Sequence, residues 1–445
     1  MKDCQNTIAA ISTPEGTGAV SIIRLSGGDA KKIALSLVKV KSKNLTPNVC
    51  YRGEFCGGGI KDDCIIIYFK APASYTGEDV VEIHCHGGVF IQTQVLNACV
   101  GNGCRPAENG EFTRRAFLNG KIDLSQAEAV IDLIEAQSSA QANAAYSALR
   151  GEIKTEASAL QREILDILAA INAAIDYPEE DIEEETAENI KAVLTSINKK
   201  LGGLIASFSS GRLIREGVRA VIAGSPNTGK SSLMNALLKT DRAIVSPAAG
   251  TTRDTIEEAF TYGGLKFVLT DTAGIRAAGD ETERMGIERA NRAVSGADIV
   301  ISLKDASAKF DGSAPAAAGN KKIITVYNKR DLLSAAEQKN PVFNDGVLIS
   351  AKTGENIDGL LKALCAAAVS KPPASGAVLT NARHYAAAAA ANALIEHALT
   401  FLQTATLDCV SADLERAYSE LCKITGATAS ADIIDGIFSR FCVGK

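Results

Sequence analysis

The sequence lacks the features that would place it in a membrane or outside the cell. No stretch approaches the roughly 18 consecutive apolar residues that mark a membrane helix. The first residues, MKDCQNTIAAIST, contain no basic segment followed by a long apolar run, so no signal peptide is indicated. The sequence therefore predicts a cytoplasmic protein with no membrane association.

The sequence also contains no CxxC pair, few histidines and no excess of basic residues. The 11 cysteines contain no CxxC pair and are odd in number, which favours reduced thiols over a disulfide framework or a zinc site. Only 4 histidines occur, and the formal net charge of -5 gives no general nucleic-acid signature. An RNA partner would have to bind a local basic face or another subunit.

The composition that remains is ordinary for a globular protein, with 46% hydrophobic and 22% charged residues in a chain of 445. Residues 1–118 alternate strand-like runs with turns rich in Gly and Pro, which predicts an α+β domain. Residues 119–212 and 374–445 repeat apolar positions at helical spacing and predict the two halves of a helical domain. Residues 213–373 predict an inserted α/β domain with a parallel sheet.

The segment GSPNTGKS, residues 224–231, matches GxxxxGK[ST] between a strand-like run and a helical one. In this context the backbone amides from Asn227 to Lys230 would surround phosphates at a helix N-terminus. Lys230 would reach the β- and γ-phosphates, and Ser231 would ligate Mg²⁺. The motif predicts a P-loop nucleotide site.

Two later segments predict that the base is guanine. In NKRD, residues 328–331, the carboxylate of Asp331 can accept hydrogen bonds from N1 and N2 of guanine, a donor pair that adenine lacks. SAK, residues 350–352, resembles the loop that closes over guanine in the same GTPase superfamily. GTP is therefore favoured over ATP.

The γ-phosphate side is predicted from DTAG, residues 271–274, and GTTRD, residues 250–254. Asp271 would place a carboxylate behind the Mg²⁺ ligands, Gly274 would offer an amide to the γ-phosphate, and Thr252 would be the switch hydroxyl. Ile275 stands where small signalling GTPases place the Gln that orients water, so another residue must do this. The segment after DTAG offers Arg276, Asp280, Glu281, Glu283 and Arg284.

These motifs occur together with ERMGIERA, the N-terminal blocks TIAAISTPEGTGAVSIIRLSG, SYTGEDVVEIHCHGG and GEFTRRAFLNGKIDLSQAEA, and the terminal FCVGK. In this order they resemble the MnmE/TrmE tRNA-modification GTPases over nearly the whole chain. The resemblance implies a folate-binding and dimerisation domain, a helical domain and an inserted G domain. It also implies a hetero-oligomer with an FAD-containing partner, MnmG/GidA, that adds an aminomethyl or carboxymethylaminomethyl group to the wobble uridine of certain tRNAs.

The resemblance also implies how GTP is hydrolysed. K⁺ would bind Asn227, Ser246, Ala248 and Thr251 where another GTPase inserts an arginine, and two G domains of a homodimer would meet face to face. Glu283 would orient water in place of the missing Gln. The candidate GTP-binding residues are Asn227, Thr228, Gly229, Lys230, Ser231, Ser232, Ser246, Thr251, Thr252, Asp271, Thr272, Ala273, Gly274, Asn328, Lys329, Asp331, Ser350, Ala351 and Lys352.

A reduced folate is the implied one-carbon source, and Arg24, Glu82 and Lys121 match the family's folate contacts, with Lys445 as a further candidate. A pteridine needs a carboxylate facing its guanidine-like edge and cations for its glutamyl tail. From the residues alone, Arg24 and Lys121 are better explained as ordinary surface charges and Glu82 as a strand carboxylate; the resemblance favours the folate role. The two histidines of HCHGG would share one strand face and are interpreted as structural or folate-lining rather than metal ligands.

The C-terminal RFCVGK follows a run of apolar residues that predicts a helix from Ala431 to Phe441, beginning after Ser430. By resemblance, this helix delivers Cys442 to the folate and the uridine. Cys442 would be either a nucleophile toward the uracil ring or a group that positions the active site. An ordinary thiol is mostly protonated at neutral pH, so a nucleophile would need a nearby cation such as Lys445.

Two other functions are compatible with the GTPase motifs. The first is a GTP-switched ribosome-assembly or RNA-binding factor without modification chemistry. Such factors often carry a basic RNA-binding module, whereas the regions outside the G domain are acidic or mixed here. The second is a GTPase that signals through an N-terminal scaffold that binds no folate. Saturable binding of a reduced folate would separate the second function from the folate-dependent enzyme.

Overall fold

The computed structural model describes residues 6–14, 16–42, 44–176, 183–239, 257–271, 293–308, 321–368, 376–402 and 406–445. It shows a multidomain chain of mixed α and β structure, which confirms the predicted fold class. The chain divides into two compact units: unit 1 contains residues 1–131 and 421–445, and unit 2 contains residues 132–420. The C-terminal segment therefore belongs to the same unit as the N-terminal domain.

Unit 1 is built on a seven-stranded sheet. In sheet order the strands are β3 (Val38–Val40), β4 (Cys50–Gly57), β5 (Ile60–Phe69), β6 (Val80–His86), β2 (Val20–Ser26), β1 (Ile8–Ile11) and β7 (Arg105–Pro106). Neighbouring strands are antiparallel, apart from the parallel pair β1 and β7. The first three helices of this unit are α1 (Ala30–Leu37), α2 (Val89–Gly101) and α3 (Glu111–Leu118).

Side-chain alternation in β2 and β6 decides which face of this sheet carries charged groups. Alternate residues of both strands are buried in a core with α1 and α2: Ile23, Leu25, Val81, Ile83 and Cys85. Because successive side chains point to opposite faces, Arg24, Glu82 and His84 lie on the other face. The antiparallel register places Arg24 directly opposite Glu82, so two predicted folate residues share one cross-strand position.

Unit 2 combines long helices with a second sheet. In chain order its elements are α4 (Leu124–Ile134), which starts in unit 1, α5 (Ser139–Leu149), α6 (Glu152–Asp176), α7 (Glu183–Glu216), β8 (Val218–Ala223), α8 (Lys230–Leu238), β9 (Glu257–Tyr262), β10 (Leu265–Asp271), β11 (Ile299–Asp305), β12 (Lys322–Asn328), β13 (Val347–Leu348), α9 (Ile357–Ala368), α10 (Ala382–Phe401) and α11 (Leu407–Thr425), which continues into unit 1. Phe208 of α7 stacks on Tyr385 of α10 with ring centroids 4.4 Å apart, so helices from before and after the sheet pack together. In the ranges that the structure describes, no helix is long and apolar enough to cross a membrane.

The sheet of unit 2 has the strand order β13-β12-β11-β8-β10-β9. Its pairs are parallel, as the alternating pattern predicts, except that β9 joins β10 as an antiparallel edge strand. One face of the central strands packs against α8 and α9, and Val221 and Val300 on the other face pack against Val294 and Ala297. Both faces are therefore buried, which explains the nearly continuous apolar sequences of these strands. The carboxyl ends of the parallel strands meet at one edge, where ligands bind in open α/β sheets.

The last helix, α12 (Ala431–Phe438), returns to unit 1 and is shorter than predicted. The prediction that it continues to Phe441 was wrong, because the chain turns and the Phe441 amide donates to the Phe438 carbonyl at 3.1 Å. Both phenylalanines are buried in one small core, whereas Ile433 is 44% exposed. The turn brings Phe441 against the N-terminus of α3.

Candidate functional site

The P-loop joins β8 to α8 and wraps around a lysine. Gly229 has a φ of 94°, and a Cβ there would lie 2.4 Å from Asn328 Nδ2, so the position requires glycine. Helix α8 begins at Lys230, which places backbone amides at a helix N-terminus beside the loop. Lys230 Nζ donates to the carbonyls of Gly224 and Ser225, both at 2.9 Å, and this holds the ammonium inside the loop.

The other P-loop residues differ in exposure. Asn227 is exposed and has a left-handed backbone with φ 62°. Thr228 is buried, and its hydroxyl donates to the Ser225 carbonyl at 2.9 Å, which tightens the loop. Ser231 and Ser232 are exposed on the first turn of α8, where the Ser231 hydroxyl can reach a cation bound to phosphate.

Asn328 holds three loops together on the opposite side of this site. Its Nδ2 donates to the Thr228 carbonyl at 2.8 Å, and its Oδ1 accepts from the Ala351 amide at 2.9 Å. Asp331 lies on the next turn, and its Oδ1 accepts from the Ser350 hydroxyl at 2.6 Å. The structure thus brings the NKRD and SAK segments to the P-loop, with a carboxylate suited to the N1 and N2 donors of guanine.

On the guanine side of the nucleotide site, the motifs in the sequence did not reveal Asp305, which ends β11. Lys329 has a φ of 69°, and its Nζ lies 2.6 Å from Asp305 Oδ2. Lys352, from the SAK segment, is exposed. The sequence did contain a signal for Asp305, because this residue ends the strand-like run before NKRD. The carboxyl ends of adjacent parallel strands meet at one edge of a sheet. In the structure, the strand register pairs Asp305 with Asn328.

Unit 1 carries a separate charged cluster on the sheet face away from α1 and α2. Arg24 Nη2 lies 2.8 Å from Glu82 Oε1, and His84 Nε2 lies 3.1 Å from Glu82 Oε2. All three side chains are less than a quarter exposed. The hydrogen bond from His84 lowers the pKa of Glu82 most, and Arg24 lowers it further against the opposing effect of burial. Glu82 is therefore an ionised carboxylate at neutral pH.

Two aromatic rings flank the arginine of this cluster. The Arg24 guanidinium lies 5.6 Å from the ring centre of Tyr75 and 5.8 Å from that of Phe112, which is within cation–π range. Tyr75 shares a hydrogen bond of 2.9 Å with the Thr113 hydroxyl. Sequence reasoning missed both rings, although Tyr75 lies in the same SYTGED block that leads into β6.

The C-terminal tail ends beside this cluster. Val443 forms a β-bridge with Asn109, and the N-cap residue of α3 donates its amide to the Cys442 carbonyl at 3.4 Å. The Ser12 hydroxyl donates to the Gly444 carbonyl at 3.2 Å. These bonds hold the tail between the end of β1 and the start of α3, and they leave Cys442 exposed.

Lys445 lies close enough to the cluster for its charges to act on it. Burial is the largest cause of the lowered pKa of Lys445, and Arg24 lowers this pKa further, while Glu82 and Cys442 act in the opposite direction. Four predicted residues from the two ends of the chain, Arg24, Glu82, Cys442 and Lys445, are therefore brought together in unit 1.

Lys121, the other predicted folate residue, follows α3. Its Nζ donates to the Pro72 carbonyl at 3.0 Å, and its methylene chain packs against Gly77. Pro72, Tyr75 and Gly77 belong to the loop between β5 and β6. Lys121 therefore fixes the loop whose tyrosine flanks Arg24.

The histidines of HCHGG have different carboxylate partners. His84 contacts Glu82, whereas His86 Nδ1 lies 2.6 Å from Asp62 Oδ1. Among the described residues, no group of three or more His, Cys, Asp or Glu side chains is placed to hold a metal ion. His84 therefore belongs to the Arg24 and Glu82 cluster, whereas His86 is paired with a carboxylate of β5.

Comparison with known proteins identifies the family. A family model described as the MnmE helical domain matches residues 124–442, and one described as the GTP-binding protein TrmE N-terminus matches residues 7–121. The chain belongs to the MnmE family of tRNA modification GTPases. The MnmE of Chloroflexus aurantiacus is 42% identical over 99% of this chain and 100% of its own length, and the MnmE of Akkermansia muciniphila is 40% identical over 100% of both. A crystal structure of Aquifex aeolicus Era bound to GDP and AlF4- is 27% identical, covers 40% of this chain and 66% of that chain, and has a TM-score of 0.27.

Several residues that the MnmE resemblance implies lie outside the described residues. They are Ser246, Ala248, Thr251, Thr252, Thr272, Ala273, Gly274 and Glu283. Asp271 ends β10 at the same sheet edge as the P-loop. The switch and K⁺ assignments therefore stay predictions, while the P-loop and guanine side have a described geometry.

Proposed function

We propose that this chain is a K⁺-stimulated GTP hydrolase that adds an aminomethyl or carboxymethylaminomethyl group to C5 of the wobble uridine of certain tRNAs. It would act in a hetero-oligomer with an FAD-containing partner of the MnmG/GidA type and use a tetrahydrofolate derivative as one-carbon donor. Membership of the MnmE family supports GTP hydrolysis and tRNA modification. The observation that carries the folate part is the position of Lys445 beside Arg24 and Glu82.

GTP would bind at the carboxyl edge of the sheet in unit 2. Lys230 would exchange its two loop carbonyls for the β- and γ-phosphates, and Asp331 would accept from guanine. Mg²⁺, held by Ser231 and Thr252, would supply charge neutralisation at the phosphates. The exposed Ser231 hydroxyl fits this role because Mg²⁺ prefers oxygen ligands. Glu283 would orient the attacking water.

The folate would bind in unit 1, in the cluster that the tail completes. The ionised Glu82 carboxylate suits the guanidine-like edge of a pteridine, and Arg24 and Lys445 suit the carboxylates of its glutamyl tail. Tyr75 and Phe112 provide aromatic surface beside Arg24. In this arrangement Cys442 is exposed at the edge of the folate site, where the uridine would have to enter.

K⁺ dependence tests the hydrolysis mechanism. We propose that K⁺ is bound by Asn227, Ser246, Ala248 and Thr251 and that two G domains of a homodimer complete the site. We expect GTP turnover at least about tenfold faster in KCl than in NaCl of equal ionic strength, because the cation replaces an arginine that stabilises transition-state charge. Phosphate release measures this, and equal rates in both salts would remove the cation mechanism.

Asn227 also offers a matched variant for that experiment. Its backbone is left-handed, with φ 62°, so Asn227→Gly tolerates the conformation and removes the whole side chain, including the amide oxygen that would bind K⁺. We expect this variant to bind GDP as the parent does and to lose most of the advantage of KCl. Full K⁺ stimulation in Asn227→Gly would show that the side chain is not a ligand.

Wobble-uridine chemistry tests the function as a whole. We expect that bulk tRNA from cells that lack this gene loses the C5 substituent on wobble uridine, measured by mass spectrometry of digested nucleosides. Titration of a reduced folate against the purified chain should show saturable binding. Unchanged wobble uridines would favour a ribosome-assembly or RNA-binding factor. If the cells lose the modification but the chain does not bind folate, the N-terminal part of unit 1 would be a scaffold that binds no folate.

A further inference from the structure

Each residue of NKRD that can contact a nucleotide is held by another segment of unit 2. Asn328 is held by the P-loop and the SAK segment, and Asp331 is held by Ser350. Lys329, between them, has a left-handed backbone that is uncommon for a residue with a side chain. Such a conformation persists where neighbouring groups fix it. The neighbour that contacts the Lys329 side chain is Asp305, at 2.6 Å.

Asp305 is itself held in a defined orientation. Its Oδ1 accepts from the Ser307 amide at 2.9 Å and from the Ser307 hydroxyl at 2.7 Å, which leaves Oδ2 for the Lys329 ammonium. The Ala306 amide donates to the Asn328 carbonyl at 2.9 Å and ties the ends of β11 and β12 together. Burial raises the pKa of Asp305, but Lys329 and Ser307 lower it by more, so the carboxylate is ionised at neutral pH.

We propose that Asp305 is a positioning residue for guanine nucleotides, whose carboxylate holds the Lys329 ammonium so that the methylene chain of Lys329 forms one wall of the base pocket. With its backbone fixed next to Asn328 and its ammonium fixed at the end of β11, the lysine has little freedom to leave this position. Its methylene chain then presents an apolar surface beside the carboxylate that reads the base edge. The inference rests on the GTP-binding part of the proposed function.

If Asp305 has this role, replacing it should lower the affinity for GDP, and the loss should not depend on the 2-amino group of the base. In Asp305→Asn the amide oxygen can still accept from Ser307, but the charge opposite Lys329 is lost. We expect Kd to rise about fivefold, the upper end of the range for exposed ion pairs, because both side chains are less than a third exposed. The factor should be the same for GDP and IDP, because the lysine chain would contact the face of the base rather than its edge. GTP hydrolysis should show a raised KM and an unchanged kcat. Titration of fluorescent GDP and IDP analogues against the full chain measures the first effect.

A double-mutant cycle tests whether Asp305 acts through Lys329. Lys329→Met removes the ammonium and keeps most of the apolar chain, so it should weaken GDP binding by a similar factor. If the proposal is right, the double variant binds GDP within about twofold of Lys329→Met alone, because the second change removes nothing further. If the two factors multiply, Asp305 acts by another route and the proposal is wrong.

Asp345→Asn is the matched control. This carboxylate accepts from the Tyr327 hydroxyl at 2.7 Å in the same unit, so the variant suffers the same chemical change without touching Lys329. We expect its affinity for GDP to equal that of the parent, and thermal unfolding of each variant establishes that it is folded. A parent chain that binds no GDP would overturn the GTP-binding function itself. Parent-like GDP binding by Asp305→Asn would overturn only the role of Asp305.

Discussion

Replacing Gly444 by alanine should reduce uridine modification about 100-fold while GTP hydrolysis stays within about twofold of the parent, because a misplacement of about 1 Å can cost this much. A Cβ at position 444 would lie 2.2 Å from the Ile11 carbonyl oxygen, and the φ of 95° is one that L-residues rarely adopt. The tail would have to leave the end of β1, and Lys445 would move away from Arg24. The P-loop and NKRD lie in the other unit, so GTP hydrolysis should be retained.

The measurement is the fraction of modified wobble uridine formed by the proposed system of chain, FAD-containing partner, tRNA and reduced folate. Phosphate release from the same preparation reports GTP hydrolysis. Gly436→Ala is the matched control, because an added Cβ in the middle of α12 meets no atom within 4 Å. We expect the control to retain full modification. Parent-like modification by Gly444→Ala would mean that the position of the tail is not required.

Cys442→Ser separates the thiol from the position of the tail. The hydrogen bond that holds this residue uses its carbonyl oxygen, so serine keeps the tail in place. If Cys442→Ser and Gly444→Ala lose modification equally, the thiol is needed for the reaction. If only Gly444→Ala loses it, the tail acts through Lys445, and neither role assigned to Cys442 is correct.

The nucleotide side could be predicted from sequence because its geometry is mostly local. The strand, loop and helix of the P-loop are contiguous, and Gly229 and Lys230 adopt conformations that eight adjacent residues, GSPNTGKS, determine. NKRD and SAK likewise follow strands whose carboxyl ends must meet at one edge of a parallel sheet. Asp305 also ends a strand at this edge, but it belongs to no motif, and its pairing with Lys329 depends on the register of β11 with β12.

The cluster in unit 1 could not be built from sequence without a family resemblance, because its contacts join distant parts of the chain. Arg24 meets Glu82 only through the register of β2 with β6, and Ser12 meets Gly444 across 432 residues. The length of α12 was misjudged for a related reason. Phe441 continues the apolar spacing, but it reaches the core through a turn rather than a further helical turn, and periodicity cannot distinguish the two.

Replacing Asp331 by asparagine should change the base preference from guanine to xanthine. The carboxylate can accept from both N1–H and the 2-amino group of guanine, whereas an amide offers one acceptor and one donor. That pair matches the N1–H and the 2-oxygen of xanthine. A hydrogen bond to a charged group contributes about 1.5–3 kcal/mol, so loss of one such bond should lower the affinity for GTP about 10- to 100-fold. XTP should then bind more tightly than GTP.

The Ser350 hydroxyl makes this variant a test of base recognition rather than of folding. It donates to Asp331 Oδ1 at 2.6 Å, and the asparagine oxygen can accept the same bond, so the side chain should stay where it is. Competition of GTP and XTP for a fluorescent nucleotide measures the change, with Asp345→Asn as the equivalent acid-to-amide control elsewhere in unit 2. Binding of XTP by Asp331→Asn shows that the site is intact. A variant that still prefers GTP would mean that another group reads the 2-amino position, because the altered side chain no longer offers the second acceptor that guanine needs.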